Sequence, residues 1–293
     1  MDYFIGGFIN KIVLVVSILF IIVGAKPILK ISIDIFRNRS KIWAIMINTF
    51  KEAIRDRILY NLLIFALIMI LSSIFIGDLT IGDQLKIIKD MGLACISIFG
   101  VLIAIFVGIG LVYKEISKKT IYTIIAKPIR RYQFLIGKYL GLMLTILVNV
   151  VIMSIGLFAV LYFTQRFVSW NLLKAITFII LELMVITSFA LLFSTFSTPT
   201  LSAIFTLSIF VIGHLVNDLH LWGNRTKNVS IKIITKSLYY ILPNLENFNI
   251  KGKVVYGEVI SYKYMSLITL YGLVYILFIF LIASWVFQQR DFK

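Results

Sequence analysis

In the run TFIILELMVITSF, Thr177 to Phe189, Glu182 is the single ionisable side chain. An ionised carboxylate at the centre of a membrane helix costs roughly 2.5–3.5 kcal/mol on insertion scales. Two readings stand side by side: contact with a substrate or proton inside a helix bundle, or a protonated or hydrogen-bonded group with a structural role. Asn149, in the preceding apolar run, is a candidate partner, and together the two are candidates for lining a translocation path. His214 and Asp218 are four apart and share one helix face. A metal site would need further ligands, and His220 is the only other imidazole, so the pair reads as a cap or an interfacial hydrogen bond. The lone cysteine, Cys95, forms no intrachain disulfide. No Gly-x-x-x-x-Gly-Lys-Ser/Thr loop is present, and Gly137-Lys138 is followed by Tyr139, so the chain carries no such cradle for nucleotide phosphates. HExxH, paired-cysteine and GxSxG patterns are also missing. Without a clustered acid–base or metal set, the chain does not read as an enzyme. Any uphill movement would draw on a partner or an ion gradient.

The elements that must position these groups are membrane helices. The 293 residues are 60% hydrophobic and 14% charged, with mean hydropathy +1.01; a soluble domain carries about 25% charged residues. Apolar windows near the ~20 residues that cross a bilayer fall at Tyr3 to Ala25, Ile58 to Gly77, Met91 to Val112, Phe134 to Phe163, Leu172 to Phe196, Leu201 to Leu219 and Tyr264 to Phe287. Asn10 and Lys11 interrupt the first. It reads as a span with Lys11 snorkelling outward, the alternative being an interfacial helix. The net charge of +16 would suggest nucleic acid in a soluble protein. In this chain topology accounts for it, because cytoplasmic loops collect Lys and Arg, and no nucleic-acid partner is expected. One set of alternating segments carries seventeen Lys and Arg, the opposite short segments five. The first set, with the C-terminus, is therefore cytoplasmic, in a multi-pass protein of the cell membrane. Seven more cations lie in the long loop after Leu219, where the rule weighs least.

Three segments between spans have shape. From Lys41 to Arg57, Ile42, Ile45, Met46, Thr49, Phe50 and Ala53 share one helix face, with Asn48, Lys51, Glu52 and Arg55 opposite. This predicts an amphipathic helix in the cytoplasmic interface. Val229 to Leu242 repeats Ile231, Ile234, Leu238 and Ile241, with Lys232 and Lys236 on the polar side, before Pro243 stops it. The β-branched run KVVYGEVISY predicts a short extended or hairpin piece around Gly257. Between the second and third of the last six spans, Glu115 and Lys119 sit i, i+4 in the favourable helical order. Pro128 then ends that helix and holds Lys127 extended, Arg130 and Arg131 follow, and helix resumes into the next span. Helix, sharp turn, helix is a docking shape; the alternative is a solvated basic loop neutralised by anionic lipid.

The segment EISKKTIYTIIAKPIRRYQFLIGKYLG also resembles the cytoplasmic coupling segment of type-two ABC exporter permeases. The matching positions are Glu115, Thr120, Pro128 with Arg130, and Gly137 with Lys138. FKEAIRDRILY, with Phe50, Glu52 and Arg55, resembles that family's connecting helix; STFSTPTLSA, LPNLENFN and the terminal RDFK resemble its multicopper-enzyme-maturation subgroup. The resemblance covers about Ile42 to Lys293 and implies an all-α, six-span fold with a coupling helix. It divides the chain into an N-terminal extension, 1–40, with the extra span; a connecting helix, 41–57; and the permease domain, 58–293. That domain has its coupling segment at 113–133 and its external loop at 220–263. It further implies a half-transporter: two permease chains, identical or not, with two cytoplasmic ATPase subunits that hold the ATP and Mg, embedded in membrane lipid and working by alternating access. Lys119, Thr120, Lys127 and Arg131 would join Glu115, Pro128 and Arg130 at the ATPase contact. The outer amphipathic helix would sit where the family places its external gate. The competing reading is a membrane scaffold that passes ATPase action to another protein and moves no solute.

Overall fold

The computed structural model describes residues 39–80, 83–117, 130–165, 170–226 and 228–289, with side chains described in these ranges except at 39, 111–117 and 165. The expected first span, the side chain of Glu115, and Lys119, Thr120, Lys127 and Pro128 all lie outside the described residues.

Among the described residues every regular element is helical. They are α1 (Arg39–Ile54), α2 (Arg57–Asp78), α3 (Gln84–Ser117), α4 (Arg131–Gln165), α5 (Leu172–Phe196), α6 (Pro199–Arg225), α7 (Val229–Ile241), a 3-10 turn (Leu245–Phe248), α8 (Lys251–Val255) and α9 (Tyr262–Gln289). Six of them, α2 to α6 and α9, are long and apolar enough to cross a membrane. They match the six expected spans after the first, although they outrun the apolar windows: α3 carries Lys86, Lys89 and Asp90 in its first turns, and α6 continues through Arg225. Helix is the form that satisfies every backbone group within one segment, so it persists past the apolar run to where water takes over.

Burial sorts the six. In α3 and α5, 72% of the most apolar window is buried, against 22% in α2, 22% in α6 and 28% in α9. The two central helices therefore organise the bundle, and Gly100 of α3 sits so close to α5 that a Cβ there would meet Leu183 at 2.6 Å. The outer helices turn Ile64, Phe65, Ile68 and Phe75 of α2, and Leu201, Ile204 and Leu207 of α6, outward. Those are the side chains a hydrocarbon environment accepts.

Local signals explain the boundaries. Asp56 caps α2 by accepting from Ile58 N at 3.0 Å, and Pro199 takes the first position of α6, where a missing N–H costs nothing. The KVVYGEVISY run forms no strand or hairpin. Lys251 to Val255 are helical, and Gly257, at φ 75°, closes the helix: Glu258 N donates to Lys253 O at 2.8 Å and Gly257 N to Val254 O at 3.3 Å. This is the paired-carbonyl stop of a left-handed glycine. It overrides the β-branched composition because Val254 and Val255 find burial in the core cluster as helical residues.

Candidate functional site

Two polar regions stand at opposite ends of the bundle. The first is where α1 meets α4. The expected apolar stripe of α1 holds in part, with Ile42, Thr49 and Ala53 buried, Ile45, Met46 and Phe50 half-buried, and Asn48, Lys51 and Arg55 exposed, whereas Glu52, expected opposite, turns toward α4. Its occupant is α4, however, more than a lipid surface. Gly137 and Gly141, one turn apart, let the two backbones close. A Cβ at Gly137 would meet Ile45 Cβ at 2.6 Å, and one at Gly141 would meet Met46 O at 2.7 Å. Small residues at i, i+4 are how membrane helices approach. Beside them Lys138, with 1% of its side chain exposed, points its ammonium at Glu52 of α1 at 3.5 Å and lies 5.9 Å from the Phe134 ring.

The start of α4 is built for its place. Arg130 N donates to Gln133 Oε1 at 3.1 Å, the reciprocal half of a capping box. Arg131 reaches across to the end of α9, its guanidinium donating to Phe287 O at 3.1 Å and Gln288 O at 2.8 Å. Those carbonyls are orphan acceptors at the negative end of a helix, so a guanidinium suits them doubly. Phe134 and Phe287 stack just inside, centroids 6.0 Å apart. Three elements, α1, α4 and α9, are thus tied together where the segment 118–129 departs. Phe50 is half-buried on α1, while Arg55 projects from its exposed side.

The second region brings together residues that the sequence kept apart. Glu182, fully buried on α5, accepts from or donates to His214 Nε2 at 2.9 Å, and His214 Nδ1 lies 3.1 Å from Glu246 Oε2 in the 3-10 turn. The expected pairing of His214 with Asp218 is therefore replaced by two contacts, each 32 residues away in sequence. Asn149 is not Glu182's partner either. Its amide donates to Thr145 O at 2.7 Å, one turn back on α4, while Asn149 Oδ1 and Glu182 Oε2 both lack a hydrogen bond. A local back-bond satisfied the Asn donor, and the imidazole, which can bond at both ends, took the carboxylate.

Around this line, neutral bonds fasten the segment after α7. Asn244 N donates to Tyr271 OH at 2.7 Å, Asn244 Nδ2 to Asn217 Oδ1 at 2.6 Å, and Tyr264 OH to Asn247 O at 3.3 Å. Leu245 packs onto Gly213, where a Cβ would meet its side chain at 2.7 Å. The amphipathic helix α7 lies on α6, but its inward face is centred on Thr235, seated against Gly223. Ile234 and Ile241, two members of the apolar repeat, are 58% and 70% exposed. Tyr239 of α7 stacks on His220, centroids 4.3 Å apart. Half-burial, with Tyr240 beside it, pushes that phenol's pKa up, so it stays neutral at pH 7. Glu246, Asn244 and Tyr271 carried no local signal of a site, except that polar residues in LPNLENFN interrupt a stretch with buried hydrophobics.

The arrangement suits proton or hydrogen-bond exchange more than metal chemistry. The two imidazole nitrogens face opposite carboxylates, so the three groups do not converge on a point, and among the described residues no cluster could hold a metal ion.

Six apolar spans around a buried carboxylate, with an amphipathic helix docked at one end and a helical cap at the other, define a helical multi-pass membrane protein. A family model described as ABC-2 family transporter protein matches residues 43–292, and the chain belongs to that family. It is an ABC transporter permease subunit, in a family whose members are generally non-enzymatic membrane subunits. Among curated proteins, none is similar enough to match the chain.

Proposed function

We propose that this chain is the membrane half of an ATP-driven exporter in the cell membrane, with the nucleotide chemistry on a separate ATPase. The α1 end faces the cytoplasm, as does the C-terminus, and the α7 end faces outward. Two permease chains pair, and two ATPase subunits, holding ATP and Mg, press on the 113–133 segment. Glu115, Lys119, Thr120, Lys127, Pro128 and Arg130 form that contact. Arg131 passes its movement to the end of α9. Phe50, Glu52 and Arg55 belong to the connecting helix that moves with it, and alternating access follows. Residues 1–40 are assigned to an N-terminal extension.

The observation that supports this reading most is the cross-bracing of α1, α4 and α9 by Gly137, Gly141, Lys138–Glu52 and Arg131. A force delivered at residue 130 reaches three helices at once. Asn149 and Glu182, each with an unpartnered buried oxygen, are the polar contacts of the path. The motifs STFSTPTLSA and LPNLENFN favour the multicopper-enzyme-maturation subgroup.

Charge reversal tests the coupling contact. Glu115→Lys or Arg130→Glu will abolish co-purification with the ATPase while membrane insertion stays normal. Variants that still bind and stimulate the ATPase would sink the assignment. In reconstituted vesicles, substrate-dependent ATP hydrolysis with solute movement is expected, and ATP hydrolysis without movement would identify a scaffold.

A further inference from the structure

The hydrogen bonds of His214 set the fewest protons its site can hold. Nε2 is 2.9 Å from Glu182 Oε1 and Nδ1 is 3.1 Å from Glu246 Oε2, and each bond needs its own hydrogen. A neutral imidazole offers one N–H and an ionised carboxylate none. At the least, both bonds need an imidazolium between two carboxylates, or a neutral imidazole beside one carboxylic acid; a further proton leaves both in place, because a carboxylic acid still accepts through its carbonyl oxygen. The two arrangements carry the same protons and the same single negative charge. If one proton is removed, a nitrogen lone pair faces a carboxylate.

Burial decides which bond then fails. Glu182 has no exposed surface and its second oxygen has no hydrogen bond, so it depends on His214 for its remaining bond. Glu246 is 42% exposed in its side chain, and its other oxygen accepts from Asn249 Nδ2 at 2.9 Å, three residues on in the same segment, so it can turn to water without leaving that partner. The remaining N–H therefore stays with Glu182, and Glu246 leaves. Among the described residues, no other titratable group on the surrounding elements is bonded to the ring; on α8, Lys253 lies over the Tyr264 ring, 5.0 Å from its centroid. On α6, Asp218 lies one turn on; from α9, Tyr264 stands beside Glu246 with its hydroxyl on Asn247 O. On α7, Tyr239 stacks on His220. On α3, Lys86 is paired with Asp83 at 2.7 Å, and Phe210 closes one edge of the imidazole with an apolar ring at 4.8 Å.

We propose that Glu182, His214 and Glu246 form a binding site for one proton that latches the 3-10 turn, with the chain on either side of it, to α5 and α6. With the proton bound the cap is closed; when it is lost the turn is released. Which side supplies the proton rests on the orientation proposed above, whereas the latch itself does not.

The test is hydrogen–deuterium exchange of residues 244–250 in the full-length protein in lipid nanodiscs, corrected for intrinsic exchange. As pH rises from about 6, in the ordinary histidine range, into the alkaline side, wild-type protection falls by about tenfold or more, the weight of one charge-assisted hydrogen bond. Glu246→Ala removes the acceptor from a partly exposed position, so the turn stays at the lower, high-pH level of protection at every pH while α5 and α6 keep their protection. Glu246→Gln offers both a carbonyl and an N–H, bonds either form of Nδ1, and stays protected at every pH. A flat wild-type profile, a step that survives in Glu246→Ala, or identical behaviour of the Ala and Gln variants overturns the latch. None of these readouts needs the ATPase or transport, so failure here leaves the exporter reading standing.

Discussion

The two ends of the bundle are closed by different chemistry. At the α1 end, backbones meet through Gly137 and Gly141, and the contact is mainly apolar with one ion pair of a buried Lys138. At the α7 end, an imidazole, three asparagines and two tyrosines hold the cap. Close packing has no good alternative partner: once α1 lifts, Ile42 and Ala53 face whatever replaces α4. Hydrogen bonds at the cap do have one, because water can take each of them in turn. A joint meant to transmit force is served by the first kind, and a cap meant to open by the second.

The largest effect that would break this contrast is at Gly141. Leucine there must displace Met46 O and Thr49, both within 2.7 Å of the position a Cβ would occupy. Overpacking of this kind costs roughly 1–3 kcal/mol, and backbone is the slower of the two to yield. We expect Gly141→Leu to lower the melting temperature in detergent and to release α1, seen as new protease cleavage within residues 39–54. Gly110→Ala is the control, since nothing lies within 4 Å of its Cβ position; helix propensity alone should stabilise it by about 0.5–1 kcal/mol. If both variants behave alike, α1 is not held by close approach.

Next in size is Tyr271→Phe. Its hydroxyl accepts from Asn244 N at 2.7 Å, and both residues are buried. Leaving a buried N–H unsatisfied costs about 1–3 kcal/mol. That loss should appear in the exchange of residues 244–249 while α1 and the opposite end of α9, where Arg131 binds, stay protected. Equal loosening at both ends would show one cooperative body in place of two independent closures.

The fold was largely legible because membrane helices announce themselves: the six described spans fall on apolar runs, and the inward face of α1 fits its spacing. Glu182 and His214 each stood out as a polar group in apolar surroundings. Their pairing did not, because it joins α5 to α6 and then to a turn, and only packing brings those together. Asp218 was the nearer candidate for His214 by spacing, but an i, i+4 neighbour competes poorly with a buried carboxylate that has no other bond. The same limit hid Arg131's reach to Phe287 and Gln288, 156 and 157 residues away. Gly257 misled in the other direction. A glycine within a β-branched run reads as a bend in a strand, and only its positive φ reveals a helix stop.

The smallest effect separates the two ends by their caps. Asn228 accepts from Ser230 N at 3.0 Å at the start of α7, and Asp56 accepts from Ile58 N at 3.0 Å at the start of α2. Losing such a cap to alanine costs about 0.5–2 kcal/mol in a helix that depends on it. The 13 residues of α7 form a helix at the length where isolated helices are marginal, and much of its surface is exposed. The 22 residues of α2, apolar along most of their length, have no other conformation open to them in hydrocarbon. Asn228→Ala should therefore speed exchange across residues 229–233 severalfold, with Asn228→Asp restoring protection, while Asp56→Ala leaves residues 58–62 unchanged. Equal fraying of both helices would mean that α7 is held as firmly as a span, and a cap so held could not open at the cost of one proton.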